Sequence, residues 1–241
     1  MNCLLRLLYP VWYLPVLVTL TVMCGTVSLL LSLVSIRLAR YISNTVWGRV
    51  VLIPAGIRLR VLGRENLPVS NGGFILYANH SSLLDIPTVA LATGLPVSWV
   101  AKASLGSIPF FGWALARVHL LVDRSGGSEA ARQMMEEAGA RLSRGEILSI
   151  FPEGTRNRGV TLLLPFKKGA LILARRNGAL LVPVAIKNAG ALWPAGRLYP
   201  CPGVIRVRIG PPLPPLPGEK LVLLGARAQK VLHDLLTDGS W

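Results

Sequence analysis

The chain has 241 residues, room for one sizeable core and an appendage rather than several domains. Hydrophobic residues make up 52%, above the ~45–50% usual for soluble domains, and much of the excess lies in the first 36 positions. Lys and Arg number 26 against 11 acids, a formal +15 that suits an anionic membrane surface or anionic substrate. Nucleic acid is the weakest candidate and none is expected, because no recognition motif occurs and no aromatics are interleaved with the basic residues.

From Leu7 to Ile36, thirty consecutive residues carry no charge. As a straight helix they would run about 45 Å, against a hydrocarbon core of about 30 Å. The run is too long for an upright span or a signal-peptide core, and no clear cleavage site follows it. Pro10, Pro15 and Gly25 are places for a kink or break, so two geometries stay open: one tilted span, or two shorter helices that enter and return on the same face. The first acid is Glu65; before it stand only Arg6, Arg37, Arg40, Arg49, Arg58, Arg60 and Arg64. Arg37, Arg40 and Arg49 follow the apolar run, which by the positive-inside rule holds the rest of the chain on the cytoplasmic side of the cell inner membrane. Residues 1–40 are therefore expected to anchor the chain in a membrane, and 41–241 to form a single folded domain. Cys3, Cys24 and Cys201 lack any metal-ligand spacing and read as unpaired thiols; no metal is expected.

Beyond residue 50, strand-like runs at 74–78, 97–101, 119–122, 147–151, 180–186 and 204–209 alternate with segments of helical spacing. In 128–144, Ala130, Met134, Ala138 and Leu142 make one apolar stripe, and Arg132 and Glu136 stand four apart as a surface pair. Residues 168–177 read as a helix closed by Gly178, 211–217 as a stiff proline-rich connector, and 219–236 as a final amphipathic helix. The alternation predicts an α/β fold with a mostly parallel central sheet and helices on both faces, plus an N-terminal hydrophobic membrane helix or helical hairpin.

Two stretches carry chemistry. In Asn79-His80-Ser81-Ser82-Leu83-Leu84-Asp85 the histidine follows an expected strand and opens an expected helix that Ser81 or Ser82 can cap. Five positions along a regular helix put two side chains about 140° apart, so His80 and Asp85 meet only if a turn before the helix folds the histidine back. Asp85 then accepts the Nδ1 proton and leaves Nε2 as a base. Taken alone, the motif is equally compatible with a turn histidine and an ordinary first-turn acid. The second stretch is Phe151-Pro152-Glu153-Gly154-Thr155-Arg156. Pro152 ends a strand, Gly154 lets the backbone expose its N–H groups, and Arg156 offers a planar fork for phosphate oxygens. Glu153 can hold that arginine or bind a substrate hydroxyl, and Lys167 and Lys168 extend the anion site. In isolation a surface ion pair on a loop remains an alternative.

Together the two stretches resemble the glycerolipid acyltransferases, whose signatures are NHxxxxD and FPEGTR, and most of all their 1-acyl-glycerol-3-phosphate branch. Leu121-Val122-Asp123-Arg124 and Leu181-Val182-Pro183-Val184-Ala185-Ile186 are similar to two further blocks in the right order, as are Ala101-Lys102-Ala103-Ser104-Leu105 and Ile108-Pro109-Phe110-Phe111-Gly112 to the stretch between the first two blocks. The resemblance covers about residues 50–210. It implies that His80 deprotonates the sn-2 hydroxyl of a lysophospholipid, which attacks an acyl thioester, while Asp85 orients the histidine. It further implies that Glu153, Gly154, Thr155 and Arg156 bind the acceptor phosphate and glycerol, that Arg124 and Lys102 complete the anionic site, and that acyl-CoA or acyl-carrier protein is co-substrate with no cofactor or metal. The absence of a Gly-x-Ser-x-Gly elbow agrees with direct attack. Val118, Leu121 and Asn157 depart from the residues usual at their positions. The departures leave open a different acceptor such as a lyso-ornithine lipid. A His–Asp lipid hydrolase and a non-catalytic membrane-anchored binding protein are the competing readings.

Overall fold

The computed structural model describes residues 3–69, 72–122, 127–159 and 161–241. Seven strands form one sheet: β1 Ile57–Leu62, β2 Ile75–Ala78, β3 Ser98–Lys102, β4 Leu120–Val122, β5 Leu148–Ile150, β6 Leu181–Lys187 and β7 Gly203–Ile209. Their order is β1-β7-β6-β2-β5-β3-β4, parallel throughout except between β6 and β7. All six strand-like runs are strands, and the α/β expectation holds. β1 lies outside them because its Ile-Arg-Leu-Arg alternation belongs to a sheet edge, where Arg58 and Arg60 face solvent and only the other face is covered.

Side-chain alternation along the central strands sorts two hydrophobic layers. Leu76 and Ala78 of β2, with Val182 and Val184 of β6, pack against α4 (Asp85–Thr93) and the N-terminal helices. Ile75, Tyr77, Leu181 and Ala185 face the opposite layer, built from α6 Gly127–Ser143, α7 Gly169–Asn177 and α9 Leu221–Thr237. α5 (Phe111–Val118) leads into β4, and the short α8 (Ala189–Leu192) follows β6. α7 closes on Gly178, which adopts φ 60° as its expected C-terminal glycine, and on α6 Arg132 pairs with Glu136 across one turn.

The N-terminus forms a helical hairpin. α1 runs from Cys3 to Leu31, straight through Pro10, Pro15 and Gly25. The chain turns at residues 32–35, where Ser35 caps the returning helix. α2 (Ile36–Tyr41), a π-helical turn (Ile42–Val46) and α3 (Trp47–Leu52) then continue one another with helical backbone angles at each join. This return runs antiparallel to α1: Tyr13 Oη donates to Val51 O, Trp47 Nε1 to Thr21 Oγ1 and Ser28 Oγ to Ala39 O. The turn therefore lies at the end of the charge-free run rather than inside it. Gly25 acts as a point of close approach, not a hinge, since a Cβ there would stand 3.0 Å from Phe111 Cα. Val11–Leu31, with mean hydropathy 2.2, is long and apolar enough to cross a membrane.

A buried polar joint fastens the hairpin to the sheet. Arg37 and Arg49 are exposed, but Arg40 is buried: its Nε donates to Val118 O at 2.8 Å and its Nη2 meets Glu146 at 2.7 Å. Arg40 thus anchors protein to protein and is not available to lipid headgroups. His119 joins the same region. Trp99 N donates to its Nδ1, so its proton sits on Nε2, which faces Ser43 Oγ at 3.3 Å. Burial, helped by the nearby Arg40 and Arg141 charges, lowers the His119 pKa from 6.5 to about 3. The unfolded chain then binds more protons than the folded one between those values. Stability is expected to be complete above pH 6.5 and to fall as pH drops toward 3, by at most about 1.4 kcal/mol per pH unit from this group. His119→Gln should flatten that part of the curve, measured by denaturant unfolding between pH 4 and 7; an unchanged slope would exclude His119 as its source.

Candidate active site

β2 delivers its last residue, Ala78, to the rim formed by the carboxyl ends of the parallel strands. Asn79 extends the β2–β6 ladder with its side chain: Nδ2 donates to Ile186 O at 2.9 Å and Oδ1 accepts from Ile186 N at 2.8 Å. The next residue is His80. Its Nδ1 lies 2.8 Å from Asp85 Oδ2, and the same oxygen accepts the backbone N–H groups of Ser81 and Ser82 at 2.6 and 2.7 Å. An acceptor carboxylate on Nδ1 places the remaining proton there and leaves Nε2 unprotonated. Asp85 is fully buried, while the His80 side chain keeps 16% of its surface. The turn does fold the histidine back onto the helix start, although the serines do not cap it. α4 begins at Asp85 itself, after Leu84; Ser82 Oγ accepts the Leu84 N–H at 3.3 Å, and the aspartate reaches back to the amides of Ser81 and Ser82.

Residues 151–157, following β5, hold His80 from the other side. The Phe151 ring stacks on the imidazole with centroids 4.1 Å apart and planes 15° apart. Glu153 Oε1 accepts the His80 N–H at 2.7 Å, Oε2 accepts the Leu164 N–H at 2.8 Å, and Asn157 N donates to His80 O at 2.7 Å. Glu153 is 2% exposed, and burial raises its pKa although the two amides pull the other way. Both its oxygens are engaged with backbone, and among the described residues it makes no ion pair with Arg156. The expectation that it holds the arginine is replaced by a brace between the two motifs: a buried carboxylate goes where fixed donors already wait.

Beyond the brace the loop turns outward. Gly154 has φ 69°, and the Lys167 side chain lies over it, with Cε 2.7 Å from where a Cβ would be. Lys167 N donates to Pro152 O, and Thr155, Arg156, Lys167 and Lys168 are exposed around this turn. An apolar cavity of about 110 Å³ lies between the hairpin, α5 and β3, lined by Gly25, Trp47, Ile86, Trp99, Phe111 and Ala114 among others. Ile86 adjoins Asp85 in the chain, and the Trp99 ring stacks on Phe151.

A family model described as Acyltransferase matches residues 58–187, more than half of the chain and all of this site. The chain belongs to the acyltransferase family. It is 37% identical over 161 residues to a 1-acyl-sn-glycerol-3-phosphate acyltransferase of Pseudomonas aeruginosa, covering 66% of this chain and 60% of that protein. With a Chlamydomonas reinhardtii protein of the same description it shares 30% over 181 residues, 74% of this chain and 53% of the other. The chain thus spans less than two thirds of the length of these curated relatives. Among solved structures it is similar to the 1-acyl-sn-glycerophosphate (LPA) acyltransferase PlsC from Thermotoga maritima, with TM-score 0.79, 26% identity and 100% of both chains covered.

Lys102 is exposed at the carboxyl end of β3, on the same rim as His80. Arg124 falls outside the described residues. Phe151 and Asn157 act on His80 without having been singled out by sequence as partners. The signal was their place in and beside the second motif, but a stack and a backbone bond carry no residue-type signature. Glu153→Ala should leave the amides of His80 and Leu164 without acceptors and destabilise the fold by about 1–3 kcal/mol for each. Denaturant unfolding measures this; a wild-type midpoint would remove Glu153 as the brace.

Proposed function

We propose that this acyltransferase moves a fatty acyl group from acyl-CoA or acyl-carrier protein to the sn-2 hydroxyl of 1-acyl-glycerol-3-phosphate, giving phosphatidic acid. The observation that carries the reading is the His80 imidazole, tethered through Nδ1 to a buried Asp85 with Nε2 left as base, and held by the loop that displays the cationic turn. The acceptor named for the relatives supports the choice of acceptor.

In this mechanism Nε2 of His80 takes the proton of the acceptor hydroxyl as its oxygen attacks the thioester carbonyl. Asp85 steadies the imidazolium that forms. The tetrahedral intermediate then expels the thiolate, which takes the proton back from the imidazolium. Because a thiolate leaves readily, no acyl-enzyme is required. Thr155 and Arg156, with the Gly154 backbone and Lys167, meet the acceptor phosphate; Lys102 and Arg124 complete the anionic surround. Glu153 serves the acceptor indirectly, as the brace behind the loop. The cavity between α1, α4 and α5 takes fatty acyl methylenes, whose transfer from water favours an apolar lining.

Residues 1–40 anchor the protein in the cell inner membrane and 41–241 carry catalysis on the cytoplasmic side. Since α1 is hydrogen-bonded at Tyr13, Thr21 and Ser28 to a helix continuous with the catalytic domain, the two enter the membrane as a unit that returns on the same face.

Purified protein given a panel of lyso-lipids with both donors should form phosphatidic acid from the lysophosphatidic acceptor. Fatty acid released without an acceptor, or preference for another lyso-lipid, would overturn the reading. His80→Ala should abolish transfer with folding retained, and Asp85→Asn should lower kcat by about 10²–10⁴-fold. Arg156→Lys, replacing a bidentate fork with a point charge, should raise the acceptor KM about tenfold; an unaltered KM takes Arg156 out of the phosphate site.

A further inference from the structure

The imidazole of His80 needs more than its bond to Asp85. A single hydrogen bond at Nδ1 fixes one corner of the ring and leaves its plane free to tilt, and Nε2 sits on the far side of that pivot. The plane is set by Phe151, stacked 4.1 Å away at 15°. Phe151 is in turn backed by Trp99, 5.9 Å away at 20°, so three roughly parallel rings stand in a stack.

The last ring is held by a hydrogen bond from outside the sheet. Trp99 Nε1 donates to Asn44 Oδ1 at 2.6 Å, and Asn44 Nδ2 donates to Val97 O at 2.8 Å. An indole N–H only donates and a carbonyl only accepts, so the amide can face just one way. Asn44 is 1% exposed and Trp99 7%. Asn44 belongs to the π-helical turn Ile42–Val46 of the returning helix, a local widening of the kind often found where a helix presents a specific side chain. A buried primary amide here is costly to keep unless both its ends are matched, and both are.

We infer that Asn44 is a positioning residue: from the hairpin it fixes the Trp99 ring, which through Phe151 sets the plane of the His80 base. The inference rests on the reading of His80 as the base. It gives the hairpin a role in turnover besides attachment, because the base is aligned only while the returning helix is seated against β3.

The test compares Asn44→Leu, Trp99→Phe and their double variant in the purified full chain, using lysophosphatidic acid and acyl-CoA. Trp99→Phe keeps an aromatic ring beside Phe151 while removing the N–H together with part of the indole, so it tests the tie to Asn44 even where Asn44→Leu does not fold. Each single variant lowers kcat about tenfold, in line with the cost of a misoriented catalytic group. In Asn44→Leu, which leaves the cavity lining intact, KM for both substrates stays at the wild-type value, and the double variant is no slower than Asn44→Leu. Phe151→Leu lowers kcat as well, and Phe151→Tyr, which keeps the ring, restores it. Ser32→Ala, which cuts a different tie between hairpin and domain (Arg117 Nε to Ser32 Oγ, 2.7 Å), leaves kcat unchanged. The inference is overturned by wild-type kcat in Trp99→Phe, by a loss confined to KM, or by an equal loss in Ser32→Ala. His80→Ala separates the two levels: an active His80→Ala sinks the functional reading, whereas an inactive one beside a fully active Trp99→Phe sinks only the role of Asn44.

Discussion

A buried carboxylate bonded to two backbone amides holds the candidate active site together. Glu153 accepts the N–H of His80, 73 positions earlier, and that of Leu164, 11 positions later. Burial alone favours a neutral acid, and the raised pKa records that cost. The two amides offset it, and neither would have a partner if the carboxylate moved. The bond from Asn157 N to His80 O and the Phe151 stack share the same short stretch, so one loop fixes the backbone and ring of the histidine at once. The outer face of that loop is then free to display Thr155 and Arg156.

Parallel strands explain why such distant segments meet. Residues leaving the carboxyl ends of β2, β5 and β3 emerge on one rim, and the ends of neighbouring strands lie about 4.8 Å apart. His80 follows β2, the brace and the cationic turn follow β5, and Lys102 closes β3. His80 and the cationic turn are therefore neighbours by topology, and hydrogen bonds need only set their fine geometry.

The hairpin contributes polar contacts as well as apolar surface. Arg40, Ser43 and Asn44 turn toward the domain and meet Glu146, Val118 O, His119, Trp99 and Val97 O. Each such bond adds only about 0.5–1.5 kcal/mol net, yet leaving one unmade would cost more. A joint of this kind tolerates few alternative seatings. Apolar packing between α1 and α5 at Gly25 supplies contact area, and the polar joint supplies the register.

Sequence by itself determined the parts whose signal is local. Short apolar runs gave six of the strands and the 3.6-residue period gave helices, the charge-free run gave the apolar helix, and His80, Asp85 and the turn around Gly154 announced themselves by residue type and spacing. Tertiary structure alone decided matters set by contact between distant residues. Pro15 and Gly25 are helix breakers by propensity, but packing against residues 36–52 and α5 carries α1 through them. Arg40 looks like a headgroup arginine until Glu146 meets it, and Glu153 looks like the partner of Arg156 until two amides engage it. A side chain's role depends on which donors and acceptors the fold brings within about 3 Å, and spacing along the chain does not encode that.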